Sequence, residues 1–143
     1  MDLGSILSKK AADLTPPVPL PQGLYVAQVE KFGDVREIGQ NKTPGIDMTM
    51  RLTQPLDVEV PADCEFPRSM RMTHWLSESS LYRFKEFLTN TLGIEEGQKD
   101  LGEMIREATG RMFRVEVVQK AYTRKGASEP EMINDVGSTF ALE

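Results

Sequence analysis

The segment from residue 68 to residue 114 constrains the fold of this chain more than any other. It opens with an alternating stretch at residues 69–76, in which methionine, histidine and leucine residues share one side and a mostly polar set shares the other. Such alternation is typical of a half-buried β-strand. Apolar residues at helical spacing follow, and a second strand-like stretch begins at residue 111. The segment therefore predicts two strands joined by helices.

The helical connection contains two predicted helices with recognisable ends. The first begins after Ser77, a candidate N-cap, and ends at Gly93. The second begins at Asp100, which resembles the start of a capping box with Glu103, and ends at Gly110. Each helix has a single apolar stripe, so each is expected to pack one face against a core.

Three further stretches have the composition of strands, and the first of them has apolar residues on both faces, so its buried face is not predicted. Gly137 in the last strand is a predicted bulge. Five strands with helices between the third and the fourth are the plan of the oligonucleotide-binding (OB) Greek-key barrel. The predicted fold class is therefore mainly β with helices (α+β), an OB-like barrel. Its strands are residues 23–33, 46–53, 69–76, 111–122 and 132–142.

Residues 1–22 form a predicted N-terminal arm ahead of the barrel, which spans residues 23–143. Residues 15–22 contain four prolines, which predict an extended and semi-rigid lead-in. Residues 1–14 fit a short amphipathic helix and a frayed arm equally well, because isolated short helices are marginally stable.

The composition is that of one globular domain rather than a disordered or membrane-spanning chain. Of its 143 residues, 39% are hydrophobic and 27% charged, and the apolar runs are too short to cross a bilayer. The N-terminus lacks the charge order of a secretory signal, and one cysteine excludes an internal disulfide, so a cytosolic location is expected. The net charge of −5 fits nucleic-acid binding less well than a basic surplus would, but a local basic face matters more than the total.

The sequence contains no recognisable catalytic or metal-binding pattern. It has no glycine-rich phosphate loop, and its only histidine, His74, lies ten residues from its only cysteine, Cys64. Because His74 alternates with methionines, it is predicted to be a core or semi-core residue. Cys64 lies among acidic residues, which do not favour a reactive thiolate. We therefore expect a protein that is not an enzyme and that uses no cofactor.

Basic residues concentrate in three regions: the first interstrand loop, the outer faces of the second and third strands, and the last hairpin. OB barrels bind single strands through these regions, with cations on phosphates and aromatic rings on bases. Charged residues also occupy the loops of any soluble protein, and Trp75 is either a stacking platform or a core residue. The candidate nucleic-acid-binding residues are Arg36, Lys42, Arg51, Arg71, Trp75, Lys120, Tyr122, Arg124 and Lys125.

The order of these motifs resembles that of small bacteriophage OB-fold single-stranded-DNA-binding proteins. The similar segments are residues 20–25 (Leu-Pro-Gln-Gly-Leu-Tyr), 75–94, 110–118 (Gly-Arg-Met-Phe-Arg-Val-Glu-Val-Val) and 137–142 (Gly-Ser-Thr-Phe-Ala-Leu). The resemblance implies sequence-independent binding of single-stranded DNA during phage replication or recombination in the host cytoplasm. It also implies phage or host replication and recombination proteins as partners. The sequence leaves open DNA versus RNA and whether the chain forms a homo-oligomer.

The alternative is a phage structural or protein-interaction module, in the virion or in a host-takeover complex, that does not bind nucleic acid. Sheet edges and an N-terminal arm can bind other proteins, and a net charge of −5 suits this function. The two alternatives differ in what they require of one surface. Joint exposure of Arg51, Arg71 and Trp75 favours nucleic acid, whereas burial of Trp75 favours the interaction module.

Overall fold

A computed structural model describes residues 18–123, 125–126 and 128–142 and shows a mainly β fold with two short helices. The predicted helix at residues 1–14 lies outside the described residues. The helical elements are α1 (Leu81–Glu86), which a π-helical turn (Phe87–Thr91) continues, and α2 (Leu101–Ala108). The strands are β1 (Gly23–Phe32), β2 (Arg36–Ile38), β3 (Thr43–Pro55), β4 (Arg68–Trp75), β5 (Met112–Tyr122) and β6 (Glu131–Phe140).

The strands form one antiparallel sheet in the order β4-β3-β1-β5-β6, and β2 pairs with the start of β3. The five predicted strands are present, and β2 is an additional short strand within the stretch expected to be a loop. Among the described residues β4 and β6 do not pair, so the sheet is not closed. The prediction of a barrel is therefore not confirmed. The helices lie between β4 and β5 in the chain.

The pairing of β1 with β3 contains two bulges, the first in β3 and the second in β1 itself. The pairing of β1 with β3 shifts between Val26 and Ala27 and again between Val29 and Lys31. Tyr25, Ala27 and Val29 are buried in the core, which answers the question that periodicity left open. Bulges add twist to a strand, and the second one turns Lys31 away from the core, where strict alternation would place it beside Val29.

The core lies between the inner face of the sheet and the helical connection. Alternate residues of β3, including Met48, Met50 and Leu52, are fully buried, as are Phe113, Val115 and Val117 of β5. From the helical side Phe84, Leu88 and Met104 fill the same cluster. The predicted alternation of these strands and the predicted helical stripes are therefore confirmed, with one exception: Leu81 is exposed.

The helix ends follow the sequence at three of four predicted positions. Gly93 and Gly110 have the positive φ that ends a helix, and the Asp100 carboxylate accepts the Glu103 amide at 2.8 Å. The prediction that Ser77 caps the first helix is wrong. Its carbonyl accepts the amides of Ser80 (2.8 Å) and Leu81 (2.9 Å), which forms a tight turn and delays the helix to Leu81.

The described end of the proline-rich segment is anchored to the sheet. Leu20 is fully buried, and its amide donates to Asn134 Oδ1 at 2.7 Å. Its carbonyl accepts Gln119 Nε2 at 2.8 Å, and Arg68 donates to the carbonyl of Val18 at 2.8 Å. Side-chain amides and a guanidinium thus form hydrogen bonds with the backbone of a segment that does not pair with any described strand.

The predicted bulge at Gly137 is confirmed. The pairing of β5 with β6 shifts between Val115 and Val117, whose partners are Thr139 and Val136, so β6 has one extra residue there. A Cβ on Gly137 would meet the carboxylate of Glu116, the end of an exposed and flexible side chain that can move aside. No helix of the described residues is long and apolar enough to cross a membrane.

Candidate nucleic-acid interface

The outer face of β3 and β4 brings together three of the predicted residues. Since Met48, Met50 and Leu52 point inward, the intervening residues of β3 point outward, and the antiparallel register aligns them with the outer residues of β4. Arg51 and Arg71 are exposed on adjacent strands, offset by two positions in the register. Trp75 is 44% exposed at the end of β4, so it is not a core residue.

Two neighbouring strands extend this face. Arg36 of β2 pairs with Gly45 of β3, which pairs on its other side with Trp75, so the three form one row across the sheet. In the same way, Thr49 of β3 pairs with Lys31 of β1 on one side and with Arg71 of β4 on the other. We call the exposed set formed by Lys31, Arg36, Arg51, Arg71 and Trp75 the basic strip.

Two acidic residues lie within the basic strip, and each has a partner. Asp47 Oδ1 accepts Thr73 Oγ1 and its Oδ2 contacts Arg36 Nη2, both at 2.7 Å. The hydrogen bond from Thr73, together with Arg36, lowers the pKa of Asp47 below its ordinary value, so this carboxylate is ionised at neutral pH. Glu30 accepts a hydrogen bond from Ser69 Oγ.

The remaining cations of the strip are not neutralised locally. Among the described residues Lys31, Arg51 and Arg71 have no carboxylate within 4.0 Å. Four cations against two carboxylates leave a local positive excess on a chain whose net charge is −5. The strip is therefore a basic surface of an acidic protein.

The predicted residues outside the strip fall into two places. Lys42 is exposed in the turn between β2 and β3, with a left-handed φ of 50°, at the same end of the sheet as Arg36. Lys120, Tyr122 and Lys125 belong to the β5–β6 hairpin. Arg124 lies outside the described residues.

The β5–β6 hairpin lies at the other end of β1 from Arg36 and Lys42. Gly23, the first residue of β1, pairs with Val117, so residues 118–122 of β5 extend beyond it. Lys120 Nζ contacts Asp135 Oδ2 at 2.7 Å, and Tyr122 is 49% exposed. The eight predicted residues that the structure describes therefore do not form one continuous patch.

The acidic excursion between β3 and β4 is also remote from Trp75. Asp57 Oδ1 accepts the amide of Leu24 at 2.7 Å, so the loop lies at the Gly23 end of β1. It joins β4 at Arg68, whereas Trp75 is the last residue of β4. The acids at Asp57, Glu59, Asp63 and Glu65 are thus at the opposite end of this strand.

His74 is a core residue, as predicted. Its ring packs against Phe87 and Phe84, with centroid distances of 4.5 and 5.0 Å. Burial lowers the pKa of His74 from 6.5 to about 4, so the imidazole is neutral at physiological pH. Its Nε2 atom is buried and has no hydrogen-bond partner among the described residues.

Cys64 is also buried, and its Sγ lies 3.4 Å from the carbonyl oxygen of Pro19. The described part of the chain holds no group of three histidine, cysteine, aspartate or glutamate side chains arranged to bind a metal ion. His74 and Cys64 are thus packed into separate parts of the interior.

The sequence-based prediction missed Lys31 and Arg83. Strict alternation in β1 assigns Lys31 to the inner face, and only the bulge before it reverses that assignment. The adjacent charges Glu30 and Lys31, which interrupt an apolar alternation, were the available signal. Arg83 is exposed on α1 and lines a cleft beside Trp75. No pattern in the sequence links this helix to that strand.

No protein-family model matches this chain, and no curated protein matches it.

Proposed function

We propose that this protein binds single-stranded DNA independently of sequence and without catalysis. One observation supports this function above all: Arg51, Arg71 and Trp75 are exposed together on one face. Cations spaced along a face neutralise phosphates, and an exposed indole stacks a base of any identity, worth about 1–3 kcal/mol per base. This combination binds a flexible strand without reading its sequence.

The strand order agrees with an OB-like fold for the domain. When β2 is counted as a continuation of β1, the second and third long strands are β3 and β4. OB folds are five-stranded, partly open barrels that bind oligonucleotides on the face of their second and third strands. The basic strip occupies that face, and the unpaired edges of β4 and β6 correspond to the partly open side.

Phosphate contacts make the expected affinity strongly salt-dependent. Each neutralised phosphate of a single strand contributes about −0.7 to the slope of log K against log salt. The four cations of the strip therefore predict a slope of about −2 to −3, given that Arg36 already contacts Asp47. The negative remainder of the protein keeps the bound strand on this one surface.

The biological setting of the proposal is phage replication or recombination in the host cytoplasm, with phage or host replication and recombination proteins as partners. Phosphates and base faces are common to DNA and RNA, so single-stranded RNA belongs in the same assay. A second candidate function, a phage structural or protein-interaction module, is favoured by Met112, Phe140 and Leu142, which expose apolar surface at the end of β5 and β6.

Fluorescence anisotropy of a labelled oligo-dT at low and high salt tests the proposal. We expect salt-sensitive binding that Arg71→Ala weakens and that Arg106→Ala leaves unchanged. Arg106 is a matched control, because it is an exposed arginine of α2 outside the strip and its removal changes the net charge equally. Absence of binding at low salt would overturn the proposed function and favour the interaction module.

A further inference from the structure

Phe140, the last residue of β6, is an exposed aromatic ring that lies outside the basic strip. It pairs with Arg114 of β5, whose guanidinium carbon lies 5.8 Å from the centre of the ring. Arg114 Nε donates to the carbonyl of Ala141 at 2.8 Å, which holds the cation beside the ring. Because the residues on both sides of Arg114 in β5 are fully buried, Arg114 and Phe140 face outward. They combine a cation with an exposed ring, as Arg71 and Trp75 do in the strip.

Phe140 and Trp75 flank the seam between β4 and β6, the two strands that do not pair among the described residues. Trp75 is the last residue of β4, and Thr139 directly precedes Phe140 in β6. Trp75 and Thr139 line one cleft of about 240 Å³ in this seam, so the ends of the two strands are close together. The second ring therefore lies across the seam from the strip, at the same end of the sheet.

Arg83 of α1 adds a cation at the seam. It lines the same cleft as Trp75 and Thr139, and it lines a second hollow with Thr139 and Asn90. Arg83 is exposed, and among the described residues it has no carboxylate within 4.0 Å. A guanidinium placed between two stacking rings can bind a phosphate that links the stacked bases.

The charges around Phe140 favour a polyanion over an apolar protein partner. Arg114 and the exposed Arg111 also lack a carboxylate within 4.0 Å in the described part of the chain. Two acids adjoin this group, since Glu86 lines the second hollow and Glu116 is the next outward residue of β5. Three arginines against two carboxylates leave a positive excess. An apolar partner would leave these cations unpaired, whereas the strand proposed for the strip supplies phosphates.

We propose that the bound single strand continues from the basic strip across the seam, with one base stacked on Trp75, another on Phe140, and Arg83 on a phosphate between them. The inference rests on the proposed single-strand binding and extends its site from β3 and β4 to β6. The bases stay on the open surface, and none enters the cleft. Oligonucleotides long enough to cross the seam therefore gain affinity that shorter ones lack. A protein partner on Phe140 is the competing occupant.

Two substitutions of Phe140 test whether its ring stacks a base. Phe140→Leu keeps an apolar side chain without a ring, whereas Phe140→Trp keeps a ring. For labelled oligo-dT of about 16 nucleotides, we expect Phe140→Leu to lose about fivefold or more in affinity and Phe140→Trp to bind like the parent. For oligo-dT of about 4 nucleotides the loss should be less than about twofold, because so short a strand is held by the cations of the strip. Tyr82→Leu is the matched control, since Tyr82 is an exposed ring of α1 that lines a different hollow.

Arg83→Gln gives an independent measurement at an exposed helix position. With the long oligonucleotide it should make the slope of log K against log salt shallower by about 0.7, and with the short one it should leave the slope unchanged. If Arg71→Ala weakens binding of the long oligonucleotide but neither Phe140→Leu nor Arg83→Gln does, the extended site is overturned and the proposed function stands. If the parent binds no single strand at all, both are overturned.

Discussion

The basic strip and the β5–β6 hairpin both combine basic residues with an exposed aromatic ring, but their supporting structures differ. Beneath the strip the inner residues of β3 are fully buried, so its strands are held in place by the core. In the hairpin both Ala121 and Tyr122 are exposed, and Lys120 is paired with Asp135. The same residue types thus give an ordered cationic face in one region and a locally neutralised tip in the other.

This difference shows that basic residues close together in the sequence do not necessarily form a binding face. Lys120, Arg124 and Lys125 lie close together in the chain, whereas Arg51 and Arg71 are twenty residues apart. Pairing of β3 with β4 nevertheless makes the two arginines diagonal neighbours, because residues of adjacent strands that are offset by two positions are still within reach of long side chains. Four predictions, from the largest expected effect to the smallest, test this comparison.

The first prediction concerns His74, which lies under the strip and has no counterpart among the described hairpin residues. Its pKa is about 4 in the folded protein and near 6.5 when unfolded, so the unfolded chain binds a proton first as the pH falls. The free energy of unfolding should therefore fall by about 3 kcal/mol as the pH falls from 6.5 through 4, and the loss from this group ends once the folded imidazole is also protonated, about one pH unit below its pKa.

Urea unfolding of the parent and of His74→Phe at pH 7 and pH 4.5 measures this effect. Subtracting the variant removes the contribution of carboxylates such as Asp47 and Asp135, which both proteins retain. Equal acid sensitivity of the two proteins would show that His74 is not buried as a neutral group.

The second prediction concerns the arginines of the strip. Arg51→Ala combined with Arg71→Ala should weaken oligo-dT binding by about 10- to 100-fold at low salt, because each removes a charged phosphate contact. The slope of log K against log salt should become shallower by about 1.4. Anisotropy titrations over a salt series measure both quantities, and an unchanged slope would mean that neither arginine contacts phosphate.

The third prediction separates stacking from charge within the strip. Trp75→Ala should weaken binding by about 1–3 kcal/mol, while Trp75→Phe, which keeps a ring, should recover much of the loss. Neither variant should change the salt slope, because no charge is removed. Tyr82→Ala is the matched control, since Tyr82 is exposed on α1 and outside the strip. An equal loss with Tyr82→Ala would contradict a specific stacking position at Trp75.

The fourth and smallest effect is expected in the hairpin. Lys120→Ala combined with Lys125→Ala should weaken binding less than about threefold, because Lys120 already contacts Asp135 and exposed charges contribute little. The same anisotropy titration compares this pair with the arginine pair, each of which removes two charges. A larger loss than that of the arginine pair would reverse the comparison and make the hairpin the principal binding surface.

Much of the strip could be predicted because β-strands alternate with a period of two. Once residues 46–53 and 69–76 are assigned as strands with buried methionines, Arg51, Arg71 and Trp75 must share the other face. Lys31 could not be assigned to this face for the complementary reason. A bulge reverses the alternation, and it forms where β1 pairs with residues about twenty positions away.

The helical connection shows the same difference between features that depend on nearby residues and features that depend on tertiary packing. Asp100 begins one helix and Gly93 ends the other as predicted, because capping depends on residues within one turn. Ser77 is a residue type that often caps helices, but it forms a separate turn instead. No residue near it in the sequence distinguishes the two outcomes. The side chains of α1 that face β4 to form the cleft are likewise a matter of tertiary packing.

The amino-acid sequence by itself therefore determined the five long strands, three of the four helix ends and the shared face of Arg51, Arg71 and Trp75, because these depend on periodicity and on contacts within a few residues. Only the tertiary structure decided that Trp75 is exposed and that, among the described residues, β4 and β6 do not pair. It also decided that Lys31 belongs to the basic strip and that Arg83 lies beside Trp75. These features depend on how elements far apart in the chain pair and pack. The residues that bury or expose a given side chain are therefore not its neighbours in the sequence.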